Sequence, residues 1–77
     1  MKIHILLQNQ EKGNFESLCT LDLLAVPSIG SKVNLKMPTD SQSLIYEVID
    51  VCFGDGQLCE IYVKCLCTQT DYHLRKF

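Results

Sequence analysis

Four glycines, two prolines and no run of lysine or arginine are spread over 77 residues. So little Gly and Pro excludes low-complexity or collagen-like chain. Apolar residues make up 47% against 21% charged, which is the balance of a globular protein. One domain over residues 1–77 is the expectation, and a chain this short buries only about 60% of the surface its unfolded form exposes. The missing basic cluster, with a formal charge of −2, removes the footprint by which proteins neutralise phosphates. Nucleic acid is therefore an unlikely partner. No apolar stretch approaches the roughly 20 residues that span a bilayer, and Met1 to Leu7 is followed by no small-residue cleavage site. A soluble, cytoplasmic protein without membrane contact is expected.

Several chemistries lack their parts. There is no glycine-rich phosphate loop, since Gly54-Asp55-Gly56 sits between two alternating runs where a hairpin turn belongs. There is no Cys-x-x-Cys pair. The only close thiols, Cys65 and Cys67, lie on an expected strand with His73 six residues on and no fourth ligand in view, so neither metal nor cofactor is expected. The cysteine count is odd, and Cys19, Cys52, Cys59, Cys65 and Cys67 all stand among apolar neighbours, which suits reduced thiols packed in a core. Nucleophilic catalysis needs a histidine beside a partly exposed thiol, yet His4 and His73 stand near the two ends. No enzyme activity is expected.

What is present is alternation. Leu44 to Phe53 and Leu58 to Cys67 are rich in β-branched and aromatic residues and read as one long hairpin. Lys2 to Gln8 reads as a first strand with Ile3, Ile5 and Leu7 inward. Phe15 to Leu23 reads as a second, with Phe15, Ser17, Cys19, Leu21 and Leu23 inward. Pro27 and Gly30 turn the chain into a short third strand around Val33 and Leu35. In the fourth run Tyr46 and Val48 share one parity while Val51 and Phe53 share the other, so a β-bulge or sharp bend is expected near Ile49-Asp50. Asp50 is the carboxylate to watch there: it is expected to bond the backbone at the bulge or turn, the alternative being a buried carboxyl with a raised pKa. The tail from Thr68 onward reads as a short sixth strand or a loosely docked end. The fold expected is all-β: a five- to six-stranded antiparallel, partly open barrel.

The segment Pro27-Ser28-Ile29-Gly30-Ser31-Lys32-Val33, followed by Tyr46-Glu47-Val48-Ile49-Asp50-Val51, resembles the Pro-x-x-Gly-x-x-Val and Tyr-x-Val-x-x-Val pattern of small SH3-like β-barrel proteins of bacteria and phages. Ser31 stands where those proteins often carry an acidic residue. The resemblance covers the middle half of the chain and implies a barrel route without an active site.

Function then falls to the outer surface. Leu18, Leu58, Tyr62 and Leu66 project from the face opposite the main core and are the candidate partner-binding residues. The expectation is a non-enzymatic module that works by protein contact or self-association. One alternative is a phage or mobile-element inhibitor presenting Glu11, Glu16, Asp22, Glu47, Glu60 and Asp71 as an acidic surface. The other is a nucleic-acid-binding barrel, which needs Tyr46, Tyr62 and Tyr72 exposed beside lysines.

Overall fold

The structure, a computed structural model, describes residues 1–9, 11–54 and 58–75. The expected tight turn at Asp55-Gly56 and the side chain of Leu58 lie outside the described residues. Five strands and one short helix follow the alternating runs: β1 (Lys2–Gln8), β2 (Phe15–Asp22), β3 (Lys32–Leu35), β4 (Leu44–Phe53), β5 (Leu58–Thr68) and α1 (Gln69–His73). They form one curled, half-barrel sheet in the order β2-β1-β5-β4-β3. The all-β, partly open barrel is therefore as expected in outline.

One part of that expectation needs correcting. The sheet is mixed, because β1 runs parallel to β5, with Ile3 opposite Cys59 and Ile5 opposite Ile61. The β1–β2, β3–β4 and β4–β5 pairs are antiparallel. Burial accords with the inner position of β1: Ile3 and Ile5 are fully buried and His4 between them is half-buried. Leu6, which breaks the alternation of β1, lies opposite Tyr62 of β5.

The concave side holds the core. Ile3, Ile5, Leu35, Tyr46, Val48, Cys59, Ile61 and Val63 pack together, with Leu23 and Val26 from the β2–β3 crossover set against them. Each fully buried Ile or Val adds about 1.5–3 kcal/mol. Around this core the turns follow local chemistry. The Asn9 side chain accepts the N–H groups of Glu11 and Lys12, and Gly13 closes that turn with φ 75°. Gly30, at φ 92°, sets the entry to β3 by donating its N–H to the Val48 carbonyl at 2.8 Å.

Three strands depart from regular pairing, each by one extra residue. In β4 the register shifts between Val48 and Asp50, leaving Ile49 as the extra residue at the expected bulge. Asp50 is exposed and its Oδ1 accepts the Val51 N–H at 2.9 Å. In β5 a second shift leaves Leu66 unpaired and puts Cys67 opposite Ile45, so Cys67 leaves the face it was expected to share with Cys65. In β2 a third shift at Leu18 reverses the outer half of the strand. Phe15 was expected inward and is outward for that reason.

The described part of the tail is a short helix and not a sixth strand. Thr68 ends β5 and caps α1, its hydroxyl accepting the Asp71 N–H at 3.1 Å. The helix lies against β4 and β5, held by the Gln69 N–H on the Ser43 carbonyl at 2.9 Å. No helix among the described residues is long and apolar enough to cross a membrane.

Candidate interaction face

Parity and strand order together decide what stands on the convex side. His4 and Leu6 of β1 and Glu60 and Tyr62 of β5 alternate with core residues, and the register places Phe15 and Ser17 of β2 on the same face beside them. They meet in one network. Ser17 Oγ and His4 Nε2 are 2.7 Å apart, and His4 Nδ1 stands 3.6 Å from Glu60 Oε2. The Tyr62 hydroxyl donates to Glu60 Oε1 at 3.4 Å, and the Tyr62 ring meets Phe15 edge to face at 4.8 Å between centroids. Burial and the Glu60 charge raise the Tyr62 hydroxyl above its ordinary pKa of 10.0, so it stays a donor at neutral pH.

Of the residues singled out from sequence, Tyr62 belongs to this network and is half-buried. Leu58 begins β5 opposite Lys2, and its side chain lies outside the described residues. Leu18 is different: as the bulge residue of β2 it packs against the core cluster and does not project from the outer face. Leu66 is half-buried at the β5 bulge. Tyr46 is 3% exposed inside the core, which withdraws one of the three rings that base stacking would need. The neighbours Phe15, His4, Ser17 and Glu60 were missed as a set. Each had the parity of the outer face or a break in it, but only the strand order brings them side by side.

Charge is spread and partly cancelled. Glu47 sits between Lys32 and Lys64, each 3.3 Å from a carboxylate oxygen, bridging β3, β4 and β5. Asp22 pairs with the terminal amine at 2.8 Å. Hydrogen bonds from Lys64 and Lys32 hold the Glu47 carboxyl below its ordinary 4.5. A carboxyl lowered on folding stabilises above its unfolded pKa, and that contribution disappears as pH falls through the folded value. The urea midpoint of the wild type should thus exceed that of Glu47→Gln near neutral pH, and the two should converge as the pH falls below the lowered folded value of that carboxyl. Because the pair is on the surface, about 1 M salt should also shrink the gap.

The thiols divide by exposure. Cys59 is buried, Cys19, Cys65 and Cys67 are half-buried, and Cys52 is exposed on the convex side opposite Glu60, contrary to the expectation that all five fill the core. Burial pushes the Cys19, Cys59 and Cys65 thiols up. An aromatic disulfide reagent added to native protein should label Cys52 first, and Cys59 only on unfolding. Rapid labelling of Cys59 in the folded state would contradict this packing. Among the described residues no group of three or more His, Cys, Asp or Glu side chains is placed to hold a metal ion.

No family model, no curated protein and no solved structure matches the chain.

Proposed function

We propose that this protein is a non-enzymatic interaction module whose convex sheet face, centred on Tyr62 and Phe15, is the contact surface for a protein partner. The observation that carries the reading is the edge-to-face pair of Phe15 and Tyr62 on an open sheet, ringed by the hydrogen-bonding groups of His4, Ser17 and Glu60. Rigid aromatic area beside fixed polar groups is the composition of energetic centres in protein interfaces. Ser17, His4 and Glu60 have the order of a hydrolytic triad, but they lie on an open surface. Ser17 is exposed, the imidazole–carboxylate distance is 3.6 Å, and Glu60 is also engaged by Tyr62. Nothing there excludes water around a reacting carbonyl. The acidic-surface alternative has less support, since the pairing of Glu47 and Asp22 cancels two of its six carboxylates.

Affinity capture from an extract of the source cells tests the reading. Wild type and a Phe15→Ser, Tyr62→Ser double variant, shown to be folded by circular dichroism, would be compared. A protein retained by the wild type and lost with the double variant is expected. Equal retention by both would count against the convex face.

A further inference from the structure

The two edges of the sheet match each other. β2 and β3 end the strand order, and among the described residues neither pairs with a strand on its far side. Their hydrogen-bond phase can be read from the flanking bonds. Leu23 donates to the Met1 carbonyl at 2.9 Å and Val48 to the Ser31 carbonyl at 3.0 Å. Antiparallel pairs alternate between bonded and non-bonded, so the backbone N–H and C=O of Thr20 and Asp22 on β2, and of Lys32 and Asn34 on β3, turn outward. All four residues are exposed.

We propose that copies of this chain associate head to tail, the β3 edge of one lying antiparallel on the β2 edge of the next, with Lys32 opposite Asp22 and Asn34 opposite Thr20. That register joins outward backbone groups to outward backbone groups and supplies two bonded pairs. It also matches the faces. Val33 meets Leu21 and Leu35 meets Cys19 on the concave side, extending the apolar core, while Lys32 meets Asp22 and Asn34 meets Thr20 on the convex side. Lengths agree as well: beyond the bulge at Leu18 the regular part of β2 is Cys19 to Asp22, and β3 is Lys32–Leu35. Carried one turn further, the same register brings Leu24 of one copy beside Ile29 and Gly30 of the other. Leu24 is 105% and Ile29 65% exposed in the single chain, and the contact gives both an apolar neighbour.

Charge favours this pairing over contacts between like edges: Glu16 and Asp22 lie along β2, and Lys32 of β3 is followed by Lys36. Within one chain Asp22 already meets the terminal amine and Lys32 meets Glu47, so the difference between the edges rests mainly on Glu16 and Lys36. An interface of two different surfaces repeats, so it closes a ring or extends a filament. The proposal builds on the reading of a contact protein, but it uses the edges and not the convex face, so each can fail without the other.

Sedimentation velocity on the full, reduced chain from about 5 µM to about 1 mM tests it. The mass of the wild type should climb with concentration beyond that of a dimer. Thr20→Pro and Asn34→Pro each remove an outward N–H and no bond within the sheet, so each should remain a monomer alone. Mixed in equal amounts they should form a heterodimer and stop there, because one intact β3 edge and one intact β2 edge remain. Leu24→Asp, at a side chain that touches nothing in the single chain, should weaken association roughly tenfold or more, and it decides the matter if either proline variant fails to fold. A wild type that stays monomeric throughout overturns the proposal, and so does association that Leu24→Asp leaves unchanged. A monomer that still captures a partner through Tyr62 would overturn the edge pairing alone.

Discussion

Replacing Ile61 by alanine is expected to lower the free energy of unfolding by about 3 kcal/mol, within the range of 2–5 for such core truncations. Ile61 is fully buried and lies at the middle of the sheet, opposite Ile5 across the parallel pair and opposite Val51 across the antiparallel one. Truncation there leaves a hole bounded by strands that are already committed on both sides, so the site can collapse little. The loss is large on the scale of the whole molecule, since a domain of this length holds only about 4–12 kcal/mol in total. Urea unfolding followed by circular dichroism should show the midpoint fall by a large fraction with the slope unchanged. Cys52→Ser, on the exposed side of β4, should move it by no more than about 0.5 kcal/mol. A loss below about 1 kcal/mol at Ile61 would mean that the concave side is not packed as described.

Removing β1 should have an even larger effect, and a different one. A terminal strand at a sheet edge can often be lost with partial retention of the fold, but β1 stands second in the order and is, among the described residues, the sole strand to which β2 is paired. Without Lys2–Gln8, β2 has nothing to bond to, the inner edge of β5 is opened, and Ile3 and Ile5 leave the core together. A chain starting at Asn9 should give no cooperative unfolding transition and a collapsed spread of amide proton shifts. Removal of the last residues from Gln69 onward is the control. It takes away α1, which contributes no buried residue, and should leave the cooperative transition in place with a reduced midpoint.

The parts of this fold that alternation can encode were open to reading in the sequence. The bulge of β4 is a case in point: Tyr46 and Val48 on one parity and Val51 on the other demand one extra residue between them, and Ile49 is that residue. The backbone bond expected of Asp50 is there, its Oδ1 accepting the Val51 N–H, and the structure adds that the residue is exposed. The bulge in β2 is hidden because Phe15, Ser17, Cys19, Leu21 and Leu23 make a credible single face, off which the apolar Leu18 reads as outward. In the structure Leu18 is the extra residue, and everything before it in β2 changes sides. The parallel pairing of β1 with β5 was beyond reach for a different reason. Periodicity tells which face a residue takes, whereas the neighbour of a strand in space is chosen by how the whole sheet closes. His4 and Glu60 are each legible as outer residues, but only the parallel register puts them opposite one another and lets Ser17 and Tyr62 complete the network.

The placement of β1 between β2 and β5 underlies the convex face, the core and the two free edges alike, and nuclear Overhauser contacts on labelled protein test it most directly. Expected are contacts joining Ile3 to Cys59 and Ile5 to Ile61 in the staggered amide-to-α pattern of a parallel pair, together with α-to-α contacts between β1 and β2. Close α-to-α contacts between β1 and β5, or β1 amides that show neighbours on one side alone, would contradict it.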